Sequence, residues 1–294
     1  MSAEAAEPEI VRSGNACGAE VRNLDLAKPL SDETFDRVLA ALVAHGVLVF
    51  RGQRLDEAQQ VAFTGRFGEP DRYSLSAYCL ADHPEILLVS NVQANGQNIG
   101  LADAGTTWHT DSSYLAIPPF ATLLYAREIP VRNGVSLGDT LFASAAAAYE
   151  ALPETMRARL DGLGAVHSYD GKHRARARLG RSDRKAPSAE ERQRLAPVRH
   201  PVVRRHPISG RKALYVAAGE CIGIPGLADD RAEALIEELA AHIVRPEFQY
   251  RHRWRVGDLV VWDNCQLQHL AIKDYALPER RLLHRTQVKG TVPR

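Results

Sequence analysis

No apolar run in this chain approaches the roughly 18 residues that a bilayer-spanning helix needs, so no segment is expected to cross a membrane. Cysteine is scarce as well. Cys17, Cys79, Cys221 and Cys265 are far apart with no Cys-x-x-Cys, which speaks against both a zinc knuckle and a disulfide framework. Charge of one sign is missing too: a net charge of +1 over 294 residues offers no broad surface for nucleic acid or anionic lipid. Residues 1–16 are acidic and alanine-rich rather than basic then apolar, so no secretory leader is expected and a cytoplasmic protein fits. No internal repeat is visible.

What is present is apolar residue in quantity, 45% of the chain, enough for one large core. Because β-rich folds often run to this length undivided, one domain is expected over 11–294, behind a flexible tail at 1–10. Ser31-Asp32-Glu33 reads as a helix start, with Phe35, Val38, Leu39 and Leu42 at helical spacing behind it. Gly46–Arg51 is a short β-branched and aromatic strand, and a second helix follows at about 56–67. Further strands are expected at 86–91, 120–128, 200–206, 212–217, 257–263 and 281–288. Ser144 caps an alanine-rich helix ending before Pro153, and Leu235, Ile236, Leu239 and Ile243 share one face of a helix at about 229–243.

Residues 168–199 differ. Lys172, Arg174, Arg176, Arg178, Arg181, Arg184 and Lys185 crowd a stretch with few large apolar residues, which reads as a mobile basic loop insertion. It is either a solvated surface segment or a lid over a site for an anion. Many short strands without regular βαβ alternation make the fold class α+β, mainly β: a double-stranded β-helix (jelly roll) core with peripheral helices.

Three constellations carry chemistry. The first is Trp108-His109-Thr110-Asp111. On a strand, side chains two apart share a face, so His109 and Asp111 can reach one ion together. Two imidazoles and one carboxylate suit Fe(II) and leave coordination positions open. Eleven histidines make about one such pair by chance, so the motif needs company. The second is Val260 through His269, an apolar strand and a polar turn that deliver a histidine; read alone, it is more often a core residue. The third is Arg280 through Arg285, in which Arg281 and Arg285 would point the same way from a strand. Two guanidiniums converging on one site want two anionic groups. Cys265, four residues before His269, lacks the partners for zinc and reads as packing. Trp108 and Trp262 are core residues that could also exclude water beside the ligands. His167, His173, His200 and His242 have no partner pattern.

From about Gly18 to Val288 the chain resembles the taurine dioxygenase-like (TauD/TfdA) family of Fe(II)/2-oxoglutarate-dependent oxygenases. The stretches that carry the resemblance are His45–Gly52, Phe67–Pro70, Trp108–Asp111, Gly138–Thr140, His200–Val203 with His206-Pro207, Val261–Asn264, His269 and Arg281–Arg285. The resemblance implies iron ligands His109, Asp111 and His269, with O2 and 2-oxoglutarate as co-substrates. It implies that Arg281 and the Thr140 hydroxyl hold the distal carboxylate of 2-oxoglutarate, and that Arg285 faces an anionic group of the substrate. Tyr73 stands where the taurine enzyme has a substrate-binding histidine. Ala104-Gly-Thr-Thr107 lacks that enzyme's asparagine, and four extra residues lie around Val131–Val135. These departures point away from taurine itself. Ser112, Tyr73 and Tyr215 join Arg285 as candidate substrate contacts.

The expected function is hydroxylation of a small organic anion (a carboxylate, sulfonate or sulfate ester) with release of succinate and CO2. Neither nucleic acid nor membrane is expected as a partner, and a homo-oligomer stays open. Two rivals are a non-oxidative metal-dependent enzyme on the same barrel, and a catalytically silent metal- or 2-oxoglutarate-binding sensor.

Overall fold

The computed structural model describes residues 7–14, 16–72, 77–178, 180 and 186–294. Strands β1 (Glu9–Arg12) and β2 (Ala19–Arg22) precede helix α1 (Asp32–His45), strand β3 (Val47–Phe50) and helix α2 (Glu57–Gly65). Strand β4 (Leu87–Ser90) leads into the small hairpin β5 (Gln93–Ala94) and β6 (Gln97–Asn98). After β7 (Ala121–Glu128) comes a second small hairpin, β8 (Val131–Arg132) and β9 (Val135–Ser136). Next in order are β10 (Thr140–Ser144), α3 (Ala145–Glu150), α4 (Glu154–Leu160) and β11 (Gly164–His167). Helices α5 (Tyr169–Arg178) and α6 (Ala189–Arg194) precede β12 (Val198–Pro201), β13 (Val203–Arg205) and β14 (Lys212–Leu214). Helix α7 (Asp229–Ile243), β15 (Gln249–His252), β16 (Leu259–Asp263), β17 (Leu267–Ala271) and β18 (Leu282–Val288) complete the order.

Two sheets dominate. One has seven strands in the order β1-β2-β3-β16-β7-β18-β4, antiparallel except for the β2–β3 pair, and the other has three in the order β15-β10-β17. The seven-stranded sheet is buried on both faces, and alternate residues go opposite ways. Val47, Val49, Leu124, Ala126, Val260, Trp262 and Leu283 pack against Phe142, Tyr250 and Leu267 of the smaller sheet. Leu48, Phe50, Leu123, Tyr125, Leu259 and Val261 pack on the other side with Val38 and Leu42 of α1 and Phe63 of α2. Leu48 and Leu42 are fully buried, so truncating either to alanine costs about 2–5 kcal/mol. A third core joins α3 and α7 to β11 and β14. The two sheets therefore face one another across a shared apolar layer, and helices cover the outside.

The helix starts follow from their caps. Ser31 accepts from the Thr34 amide, Asp56 and Gln59 form a capping box, and Ser144 accepts from the Ala147 amide. Helix α7 has no side-chain cap and places Asp229 and Asp230 against the helix dipole instead. The extra residues near 131–135 form the β8–β9 hairpin. Its Asn133-Gly134 turn has φ of 51° and 78°, the left-handed pair that a two-residue hairpin needs.

Two expectations are corrected. Within 1–10, the flexible-tail segment, Glu9 and Ile10 already pair with Arg22 and Val21, held by backbone hydrogen bonds rather than buried side chains. The 168–199 segment holds two helices and strand β12 where a loop was expected. Helix α5 docks through polar groups: Lys172 on Glu220, Arg176 on Asp103, and Tyr169 against Tyr114 with ring centroids 4.9 Å apart. Apolar content was therefore the wrong measure of its order. Of the basic run, Arg181, Arg184 and Lys185 lie outside the described residues. Among the described residues no helix is long and apolar enough to cross a membrane.

Candidate metal centre and substrate cavity

Trp108–Asp111 does not form a strand. His109 makes a single β-bridge to His269: its amide donates to the His269 carbonyl at 3.2 Å, and the His269 amide returns the bond at 2.9 Å. The Thr110 hydroxyl adds a bond to the Leu267 carbonyl at 2.9 Å. The chain then turns at Asp111 and passes through Ser112 with φ 48°. His269 lies within β17, opposite Phe142 of β10, and not in a turn beyond a strand. The bridge brings the first and third members of the predicted set together, and the turn swings Asp111 between them.

Each side chain is oriented by something else. His109 Nδ1 donates to the Thr107 carbonyl at 2.7 Å, so in the neutral ring the lone pair is on Nε2, the nitrogen that faces Asp111. Asp111 Oδ2 accepts from the Thr122 hydroxyl at 2.7 Å. The Thr122 oxygen in turn accepts from Asn264 and from Gln287, each at 2.9 Å, while Trp262 Nε1 donates to Asn264. Asp111 Oδ1 stays turned toward the imidazoles, 3.6 Å from His109 Nε2 and 3.9 Å from His269 Nε2. Two donors bonded to one ion at about 2.1 Å cannot be more than about 4.2 Å apart, so these separations suit a single ion.

The electrostatics agree. All three residues are buried. Burial pushes the Asp111 carboxyl upward, but Arg285, His269 and His109 outweigh it and hold it well below the usual carboxylate range. Burial, the neighbouring His109 and the Lys172 and Arg285 charges hold the His269 imidazole well below its ordinary value, against the pull of Asp111. The set therefore offers one carboxylate and, at His269, a neutral imidazole, the states in which these groups bind metal. Trp262 lies 4.8 Å from the His269 ring and is buried, as a water-excluding wall requires, whereas Trp108 packs into the third core.

The cluster opens into a cavity of about 310 Å³. Leu87, Leu101, Leu115 and Leu195 give it an apolar side, and Arg285, Lys172 and Arg176 give it a basic one. Arg285 NH1 lies 3.9 Å from Asp111 Oδ1, and its NH2 donates to Gln287 at 2.8 Å. Ser112 lines the cavity. Tyr215 does not: it is buried in the third-core region, stacked on His167 at 5.3 Å and set edge-on to His200. It lies just past the end of β14, where its amide donates to the Val202 carbonyl at 2.7 Å and its ring turns into the interior. Tyr73 lies outside the described residues. His173, which has no partner pattern in the sequence, lines the cavity because α5 carries it there.

Arg281 and Thr140 meet at Trp254. The indole N–H donates to the Thr140 hydroxyl oxygen at 3.0 Å, leaving the hydroxyl proton to donate elsewhere, and the Arg281 guanidinium lies 5.9 Å from the indole ring. Arg281 is 2% exposed, and burial lowers its pKa against the pull of Tyr275, Asp274 and Asp139. Its NH2 donates to the Gly138 carbonyl at 3.1 Å. A Cβ on Gly138 would lie 2.8 Å from Arg281 Nε, and its φ of 76° also favours glycine. A buried guanidinium this poorly neutralised calls for an anion. Sequence reasoning missed Thr122, Gln287 and Glu220, and saw Lys172 only as one member of the basic run. Asn264 was visible only as part of the Val-Trp-Asp-Asn stretch.

Residues 9–287 match the family described as taurine catabolism dioxygenase TauD, TfdA. An alpha-ketoglutarate-dependent sulfate ester dioxygenase from Pseudomonas putida is 34% identical over 94% of this chain and 87% of its own length. An alpha-ketoglutarate-dependent 2,4-dichlorophenoxyacetate dioxygenase from Cupriavidus pinatubonensis is 35% identical over 91% of this chain and 92% of its own. The crystal structure of AAD-2 in complex with Mn(II) and N-oxalylglycine superposes with a TM-score of 0.82 at 31% identity, covering 97% of this chain and 99% of that one.

Proposed function

The chain belongs to the TauD/TfdA family of 2-oxoglutarate-dependent dioxygenases, and we propose that it hydroxylates a small organic monoanion with an apolar body, using Fe(II) held by His109, Asp111 and His269. The observation that carries this reading is the cluster of two imidazoles and a carboxylate, each with one donor turned inward, at the end of a cavity with a basic side and an apolar side. Bound there, iron with 2-oxoglutarate and O2 would supply the oxidation of a C–H bond, with succinate and CO2 as co-products. The packing of the three-stranded sheet on the seven-stranded one is read as a jelly-roll core.

The chain's own residues do the rest. Thr107 fixes the His109 tautomer and Thr122 fixes the Asp111 carboxylate, so the donors need little reorganisation. Arg281 and the Thr140 hydroxyl take the distal carboxylate of 2-oxoglutarate in the basic niche beside Trp254. Arg285 takes the substrate's anionic group, Ser112 lies beside it, and the four leucines take the apolar body. Trp262 and Phe142, around His269, keep water from the reacting centre. Sulfate esters and phenoxyacetates, named for the two relatives, are both anions with apolar bodies and suit such a cavity.

The test is succinate release with Fe(II) and 2-oxoglutarate, comparing taurine, an alkylsulfonate, an alkyl sulfate and an aryloxyalkanoate at low and high salt. The apolar anions should outperform taurine, and salt should weaken them by screening the basic wall. Fastest turnover with taurine, or a neutral compound ahead of every anion, would overturn the reading.

A further inference from the structure

Lys172, Arg285 and Arg176 are the cationic side chains that line the cavity among the described residues. Their counter-ions are placed differently. Arg176 NH2 lies 2.9 Å from the buried Asp103 carboxylate. Lys172 Nζ lies 2.6 Å from Glu220 Oε1, and Glu220 takes no part in the cavity wall. It is 2% exposed, behind Lys172, and accepts from the Ser113 hydroxyl at 2.7 Å. Burial alone would favour its neutral form, but Lys172 at 2.6 Å and the hydrogen bond from Ser113 outweigh burial and keep it ionised. The ammonium that the cavity presents is therefore cancelled from the rear. Arg285 is different: among the described residues its nearest carboxylate is Asp111, at 3.9 Å, whose charge goes to iron in the reading above. Besides the metal-cluster residues, the other titratable groups in the cavity wall are Asp71, Tyr114, Tyr169 and His173, none of them a fixed cation.

We propose that Glu220 is a specificity-determining residue that limits the substrate to a single negative charge by neutralising Lys172. The proposal rests on the reading of an anionic substrate held by Arg285. A sulfonate, sulfate ester or monocarboxylate satisfies that arginine. A phosphate monoester brings a second charge, which meets an already neutral ion pair and the carboxylate behind it.

Octyl sulfate and octyl phosphate test this, because they share body and head geometry and differ by about one charge at pH 8. Calorimetric titrations use the anaerobic enzyme loaded with Fe(II) and 2-oxoglutarate, as wild type, as Glu220→Gln and as the double variant Lys172→Met with Glu220→Gln. Wild type should prefer the sulfate. Glu220→Gln should move the preference toward the phosphate by about tenfold or more, since an unpaired interior ammonium is exposed to the ligand. The double variant, neutral again, should return to the wild-type preference, which separates charge from folding damage. An unmoved preference in Glu220→Gln, or a phosphate preference that persists in the double variant, overturns this inference and leaves the anionic-substrate reading standing. No binding of either anion to any form overturns both.

Discussion

Two buried clusters among the described residues have the side chains to hold a metal: His109 with Asp111 and His269, and His206 with Asp263 and Cys265. Their donors are disposed in opposite ways. In the second cluster His206 Nδ1 accepts from the amides of Ile208 and Ser209, so its proton sits on Nε2 and is given to Asp263 Oδ2 at 2.6 Å. Asp263 Oδ1 accepts from the Cys265 amide, and Oδ2 accepts again from Gln266. Burial, with Asp263 beside it, pushes the Cys265 thiol well above its ordinary value, so it stays protonated. Each atom of this cluster that could bind an ion already carries a proton or accepts a hydrogen bond. In the first cluster, hydrogen bonds hold the outer atoms, Nδ1 of His109 and Oδ2 of Asp111, and leave the inner ones facing each other beside a cavity. Residue type makes a cluster eligible; spare lone pairs and access make it a centre.

The largest effect should separate the two clusters outright. His109→Ala, Asp111→Ala or His269→Ala should each remove bound iron and succinate formation, because a three-ligand site has no spare member. His206→Ala should keep both and lose about 1–3 kcal/mol of stability, the cost of leaving buried Asp263 short of a donor. Metal content measured beside thermal unfolding decides it. Iron retained by the His269 variant and lost by the His206 variant would move the centre to the other cluster.

Next in size is the co-substrate niche. Arg281→Ala should weaken 2-oxoglutarate binding by about 2–4 kcal/mol, since a charge-assisted pair is lost from a buried position. An anaerobic titration followed by the visible charge-transfer band of iron with 2-oxoglutarate reads this directly. An unchanged binding constant would show that the guanidinium beside Gly138 serves packing alone.

The smallest effects concern two threonines. Thr122→Val deprives Asp111 Oδ2 of its donor and should lower metal affinity roughly ten- to hundredfold with the fold intact. Thr140→Val removes one neutral donor and should cost 2-oxoglutarate about 1 kcal/mol. Competition with a chelator measures the first, and the same titration as for Arg281 measures the second. A Thr122 variant with undiminished metal affinity would show that the turn backbone, and not the hydroxyl, orients Asp111.

How much of this was legible depended on whether a residue's partner was near in sequence. Ser31, Asp56 and Ser144 announce helices because the amides they cap lie three residues on. The runs at 47–50, 121–128 and 259–263 announce strands because they are apolar on both faces. His109, Asp111 and His269 were legible as residue types, yet the strand geometry assigned to the first pair was wrong, since a bridge and a turn hold them. Tyr215 was misplaced because the strand expected at 212–217 ends at Leu214, and the segment beyond it turns the ring into the interior. Helix α5 was missed because its stabilising partners, Glu220 and Asp103, are remote in sequence and polar. Thr122 carries no signal of its own; only the fold sets it between Asp111, Asn264 and Gln287.

The reciprocal backbone bonds between His109 and His269 reach beyond geometry. They staple two points 160 positions apart in the chain, so the spacing of the two imidazoles is set by main-chain atoms that no side-chain substitution removes. Segments threaded between those points that do not touch the cluster, such as the β8–β9 hairpin, can lengthen, shorten or change their charge while the two imidazoles keep their spacing. A scaffold fastened in this way separates the chemistry it performs from the molecules it admits, and lets the second be rewritten without disturbing the first.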